Sequence, residues 1–215
     1  MPVSTDGVLL GAWIDIDQAR SILDIGTGTG LLSLMCAQRF PESTVTAIEI
    51  DHMAAEAALQ NFKQSAWSDR LKLIQKNILE WETPTAFDTI ICNPPYFNFG
   101  EQSPSVRRAT ARHTDSLNHR DLLTKSWKVL KPNGKANFIL PEFEGEQFIQ
   151  LALSMGWYLS RLCRVKPNEN KPINRLVFEI SKSQCHCRES ELTIRHSGSY
   201  SSEFIALTKE FYLKM

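Results

Sequence analysis

This chain holds no apolar run near the ~18 residues that a membrane-spanning helix needs, so no membrane partner is expected. Its first residues, Met1-Pro2-Val3-Ser4-Thr5-Asp6, lack the basic and apolar regions of a signal peptide. It also lacks net charge: 24 Lys and Arg balance 24 Asp and Glu. A nucleic-acid partner would therefore have to be held by a local basic patch. Cysteines are few, odd in number at five, and scattered through core-like segments. That argues against a disulfide framework and for a reducing cytoplasm. Cys185-His186-Cys187 sets two thiols too close for a zinc knuckle and has no second pair, so it reads as a surface strand with no metal. Internal repeats and low-complexity segments are absent. What remains is a globular balance, 42% hydrophobic and 22% charged over 215 residues. The expectation is a single domain over residues 1–215, monomeric, with a core large enough to need no staple.

Asn93-Pro94-Pro95-Tyr96 stands out first. It follows Phe87-Asp88-Thr89-Ile90-Ile91-Cys92, an apolar run of strand length. Two successive prolines have no N–H for a ladder, so the strand must stop there. In an open α/β sheet, ligands bind beyond the carboxyl ends of strands. Asn93 offers a carbonyl acceptor and an amide donor, Pro94 leaves its C=O free, and Tyr96 adds a flat face with a hydroxyl. Two acceptors beside an aromatic plane suit a flat ring carrying an NH2 group.

A second site precedes it. Ser21-Ile22-Leu23-Asp24-Ile25 reads as a buried strand, followed by Gly26-Thr27-Gly28-Thr29-Gly30 and an apolar helix from Leu31 to Phe40. Such a strand–glycine turn–helix lets backbone approach a ligand closely. A dinucleotide fingerprint, G-x-G-x-x-G, would need glycine at position 31, which is Leu31. Val45 to Glu49 is a further strand ending in an acid. Glu49 lies 23 residues beyond Gly26 (49 minus 26), near the spacing of a ribose-binding carboxylate. Leu71 to Gln75 is the third strand, with Asn77 and Ile78 beyond it.

Thr5 or Asp6 is placed to cap a short helix over 5–14. Asp51 opens a helix with the stripe Ala55, Leu59, Phe62 and Ala66. The polar stretch from Phe97 to Asn118 carries Arg107, Arg108, Arg112 and His113, and a loop that long is usually functional or disordered. Leu123, Trp127 and Leu130 mark a helix closed by Lys131-Pro132-Asn133-Gly134, with glycine expected at positive φ. Lys135 to Leu140 is the fifth strand, and Phe148, Leu151, Ala152 and Met155 form a helical stripe. Trp157 to Val165 and Leu176 to Ile180 are two more strands around an exposed loop. The end of the chain, 190–213, is a short extended piece and a terminal helix. The pattern predicts seven strands, mostly parallel, with an antiparallel last strand and helices on both faces.

The pattern D-x-G-x-G-x-G at Asp24, Gly26, Gly28 and Gly30 resembles the glycine loop of class I S-adenosylmethionine-dependent methyltransferases, which implies their Rossmann-like fold. With Glu49 and Asn93-Pro94-Pro95-Tyr96 the chain resembles the amino-group methyltransferases. More closely, it is similar to the bacterial tRNA1(Val) adenine-37 N6-methyltransferases over almost its whole length, including Thr5 to Trp13, Ala111-Arg112-His113, Asn174-Arg175-Leu176 and Leu207 to Leu213. It departs from them before Thr5, where members usually carry a further basic segment and where Pro2 stands in place of a common lysine.

The resemblance implies methyl transfer from S-adenosylmethionine to N6 of adenine 37 in the anticodon loop of tRNA1(Val). Asn93, Pro94, Pro95 and Tyr96 would carry the chemistry. Thr5, Asp6, Asp24, Gly26, Gly28, Gly30, Glu49, Asn77, Ile78 and Asn93 would surround the cofactor, with Asp24 read chiefly as a buttress of the loop. Arg107, Arg108 and Arg112 would meet phosphates, and His113 would be structural. The same motif also fits methylation of rRNA guanine N2, DNA adenine N6 or a protein glutamine. A silent adaptor is the reading from another class, and it would tolerate loss of the acceptors that are intact here.

Overall fold

A computed structural model of the chain describes residues 4–16, 19–94 and 118–212. Helix α1 (Thr5–Trp13) leads into β1 (Ser21–Ile25), α2 (Leu31–Arg39), β2 (Thr44–Glu49), α3 (His52–Gln64), β3 (Leu71–Gln75) and β4 (Phe87–Cys92). Asn93 and Pro94 follow β4, and from Asn118 onward come α4 (His119–Val129), β5 (Leu130–Pro141), α5 (Glu142–Ser154), β6 (Tyr158–Asn168) and β7 (Arg175–Ser181). The chain then forms β8 (Arg188–His196), β9 (Ser199–Tyr200) and α6 (Ser202–Thr208), followed by a 3-10 turn over Lys209–Phe211.

The strands join one sheet in the order β3-β2-β1-β4-β5-β7-β6-β8-β9. The first five in that order run parallel, and β7 is antiparallel to both β5 and β6. This is the expected seven-stranded mixed sheet, widened by two strands at the β6 edge. The extra width comes from the segment expected only as a short extended piece. β8 lies parallel to β6, and the ion pairs Arg164–Glu189 and Lys166–Glu191 (3.0 Å) cross the two strands. Only Leu192 of β8 is fully buried, so its sequence shows little hydrophobic alternation.

Alternating side chains of the central strands feed two cores. Leu23, Ile25, Ile90 and Phe138 pack toward Leu122 and Leu123 of α4 and Phe148 of α5. Ile22, Ile91, Ile139 and Val177 pack toward Leu9 and Leu10 of α1, Leu32 of α2 and Phe204 of α6. The period-2 alternation of strands is what lets one sheet serve both faces. Helix α1 is buried from Gly7 to Trp13, which explains why it is apolar all round.

Three local expectations are corrected. The cap of α1 is Ser4, whose Oγ accepts from Gly7 N at 3.0 Å, and not Thr5 or Asp6. Gly134 does not adopt positive φ. Glycine is needed there because a Cβ would lie 2.7 Å from Leu130 Cγ and 2.9 Å from the Asp88 carbonyl, in an irregular stretch where Phe87 pairs Leu130 and Thr89 pairs Lys135. Cys185 to Cys187 lie in the loop between β7 and β8 and not in a strand. All five thiols are free, with Cys36, Cys92 and Cys163 buried.

Candidate active site

Register places the site. Ile25 at the end of β1 pairs with Ile48 of β2 and with Cys92 of β4, while Glu49 pairs with Gln75 of β3. Gly26, Glu49 and Asn93 therefore emerge side by side, one step past the paired residues. They emerge where the strand order reverses between β1 and β4, the topological switch point of such a sheet.

The glycine loop owes its shape to backbone conformations that a side chain would oppose. Gly26, Gly28 and Gly30 have φ of 70°, 58° and 91°, in the left-handed region that glycine enters without steric cost. Gly26 N and Thr27 N donate to the Ile48 carbonyl at 2.9 and 3.2 Å, tying the loop to β2. Asn61 Nδ2 of α3 donates to the Thr29 carbonyl at 2.8 Å. A Cβ at Gly30 would lie 2.5 Å from the Phe62 ring, whereas one at Gly26 would meet nothing within 4 Å. Open space beside an exposed glycine is what a closely approaching ligand requires.

Asp24 lies beneath the loop with none of its surface exposed. Its Oδ2 accepts from Thr27 Oγ1 at 2.5 Å and Ser33 Oγ at 2.7 Å, joining β1, loop and α2. Its Oδ1 is buried without a partner. Burial raises its pKa to about 6, opposed by the Thr27 and Ser33 hydroxyls and assisted by the Glu49 charge. Thr27 and Ser33 carry no motif of their own, and reading the sequence missed them.

Glu49 is 9% exposed. Its Oε2 accepts from Gly28 N at 2.8 Å, and its Oε1 accepts from Ile50 N and Asp51 N at 2.8 and 2.9 Å. Three backbone donors thus orient a carboxylate whose remaining lone pairs can take hydroxyls. Ile50 beside it is an apolar side chain 50% exposed at the rim. Its only sequence signal is its place directly after the strand-ending acid.

Asn77 spends its Oδ1 on Leu79 N at 3.0 Å, an Asx turn that leaves the amide end of the side chain to face outward partners. The Ile78 side chain is 5% exposed and packs in the α4–α5 core, so only its backbone is available to a ligand. Asn93 is half-buried and Pro94 buried just past β4. Thr5 and Asp6 sit in the first turn of α1, Thr5 exposed and Asp6 half-buried. Pro95, Tyr96, Arg107, Arg108, Arg112 and His113 lie outside the described residues. The described residues that the structure brings together at this edge can hold a nucleoside against backbone and take a diol on Glu49, with Asn93 and Pro94 at the same edge.

Known proteins resemble this chain in sequence and in fold. Residues 7–156 match the methyltransferase small domain family. Solved structures share the fold: a predicted O-methyltransferase from Agrobacterium tumefaciens superposes with a TM-score of 0.75 at 18% identity, covering 95% of this chain and 96% of that one. A glycopeptide N-methyltransferase complexed with (S)-adenosyl-L-methionine gives 0.59 at 14% identity, over 85% of this chain and 100% of its own. The tRNA1(Val) (adenine(37)-N6)-methyltransferase of Vibrio campbellii is 58% identical over 100% of this chain and 90% of its own length. Proteins of the same name from Aliivibrio fischeri and Vibrio cholerae are 52% and 51% identical over the whole chain, covering 92% and 90% of their own lengths. By domain and by full-length identity, the chain belongs to the family of tRNA1(Val) (adenine(37)-N6)-methyltransferases.

Proposed function

We propose that this chain transfers the methyl group of S-adenosylmethionine to the exocyclic N6 of adenine 37 in the anticodon loop of tRNA1(Val). It acts as one catalytic domain over residues 1–215, as a monomer, in the cytoplasm. The observation that carries the reading is the register that brings Asn93 level with Gly26 and Glu49.

The cofactor supplies a methyl group already activated by its bond to a positive sulfur. The chain's residues bind and align. Gly26, Gly28 and Gly30 allow close backbone approach, with Asp24 as their buttress. Glu49 accepts the ribose hydroxyls, the Asn77 amide and the Ile78 backbone meet the adenine edge, and Thr5 and Asp6 close the methionine end. At the target base, the Asn93 side-chain carbonyl and the Pro94 C=O accept the two N6–H bonds. Those bonds turn the nitrogen lone pair toward the methyl and stabilise positive charge as it grows on nitrogen. No strong base is needed, because the proton becomes acidic only after attack. Pro95 shapes the turn, and Tyr96 stacks on the base, worth about 1–3 kcal/mol. An anticodon-loop base is weakly stacked, so extruding it costs at most a few kcal/mol. Arg107, Arg108 and Arg112 contact phosphates.

The test is a labelled-methyl assay on transcripts of tRNA1(Val), with rRNA, DNA and a glutamine-bearing protein as other acceptors. Label is expected only on the tRNA and is lost when adenine 37 is replaced. Asn93→Ala should lower turnover by about 100-fold or more while the variant still binds S-adenosylhomocysteine. Near-normal turnover of that variant, or equal labelling of the transcript without adenine 37, would refute the assignment.

A further inference from the structure

One ion pair joins the two ends of this cleft. Arg175 Nε donates to Asp6 Oδ2 at 2.8 Å, across 169 positions of sequence. The arginine is braced from behind. Its Nη1 donates to the Asn174 carbonyl at 2.8 Å, and that carbonyl also accepts from Glu142 N at 3.2 Å. Asn174 N donates to the Val165 carbonyl at 3.0 Å, and Arg175 pairs with Pro141 at the carboxyl end of β5. The aspartate is braced in turn by the helix it opens. Ser4 caps Gly7, and a Cβ on Gly7 would lie 3.1 Å from Leu31, the residue directly after Gly30. The first turn of α1 therefore reaches from the glycine loop, beside β1, to the start of β7. The strands between are β4 and β5, and Asn93 leaves β4 there.

We propose that Arg175 and Asp6 form a latch that holds the first turn of α1 over the methionine end of the cofactor, with Arg175 as a positioning residue. This rests on the S-adenosylmethionine reading above. The side chains are 28% and 15% exposed, so solvent screens the pair less than a surface pair but does not leave it in the core. Gly7 to Trp13, beyond Thr5 and Asp6, are buried against the core. Opening it should free the first turn alone, and the expected loss is in cofactor retention and not in folding.

The experiment measures S-adenosylhomocysteine affinity by calorimetry on the full chain without RNA, then KM for S-adenosylmethionine and kcat on tRNA. Arg175→Ala is expected to weaken affinity and raise KM by about tenfold, with kcat changed by less than about threefold. Asp6→Asn, nearly isosteric, serves where Arg175→Ala fails to fold and should weaken affinity similarly. The reciprocal exchange, Asp6→Arg with Arg175→Asp, should recover most of the loss, which ties the effect to this pair, while a KM that rises with kcat held separates positioning from a general loss of fold. Unchanged affinity in the single variants, or an exchange no better than the worse single variant, overturns the latch alone. A wild-type chain that binds no S-adenosylhomocysteine overturns the cofactor reading and the latch with it.

Discussion

Two aspartates on neighbouring strands mark opposite ends of this sheet, and their surroundings differ as the ends do. Asp88, at the amino end of β4, is fully engaged. Its Oδ2 accepts from Arg20 N, Ser21 N and Ser21 Oγ at 3.1, 3.0 and 2.7 Å, and its Oδ1 accepts from Lys131 Nζ at 2.7 Å. Burial raises its pKa, but the bonds from Lys131, Ser21 and the Arg20 and Ser21 amides overcome that and leave it near 2. Asp24, at the carboxyl end of β1, keeps an unpartnered oxygen and a pKa raised to about 6. Left-handed backbone gathers at the same end, in Gly26, Gly28 and Gly30. One end of the sheet is built as a clasp. The other holds left-handed backbone that only glycine adopts without cost and a poorly solvated carboxylate, the usual character of a functional site that the rest of the fold must support.

The contrast can be broken by design. Gly30→Ala puts a Cβ 2.5 Å from Phe62 at a φ of 91°, which should cost about 3 kcal/mol or more. Calorimetry should find its cofactor affinity abolished, and a variant that binds normally would show that the loop is not the cradle. Asp24→Asn acts next, through pH. A carboxyl raised from 3.8 to about 6 binds protons more readily folded than unfolded. Its contribution is therefore fully present below pH 3.8 and lost as pH rises through 6, about 3 kcal/mol at most. Urea melts should show a falling stability between pH 4 and 6 that Asn removes; an unchanged slope would assign it to other groups. Asp88→Ala is the smallest effect, about 2 kcal/mol from the donors left unpaired. The sign for Asp88 is opposite: a depressed carboxyl stabilises above its unfolded pKa, and that stability fades as pH falls toward 2. The Ala variant should melt earlier at pH 7 with cofactor affinity unchanged, and a matching loss of affinity would erase the distinction between the two ends.

Much of this architecture is legible in the residues alone. β1 and β4 run over the residues expected, Ser21–Ile25 and Phe87–Cys92, because a short apolar run between a polar start and a glycine or proline stop leaves little freedom. Edge elements are not legible in the same way. β8 has one buried side chain and joins β6 through a parallel backbone ladder crossed by two exposed charge pairs, and pairing between distant segments leaves no local trace. Thr27 and Ser33 are invisible as loop supports because hydroxyls are common and only the fold brings these two to Asp24. Ser4 is hard to single out as the cap because three candidate residues stand in a row.

By itself the sequence determined the strand–glycine–helix unit, the proline-terminated β4 and the acid that ends β2. Each follows from local rules of φ, hydrogen-bond donors and hydrophobic period, which act within a few residues. Tertiary structure alone decided that Gly26, Glu49 and Asn93 stand level, that Asp24 is raised while Asp88 is depressed, and that Arg175 reaches Asp6. Those outcomes depend on strand register and on burial, and both are set by which distant segments pack together.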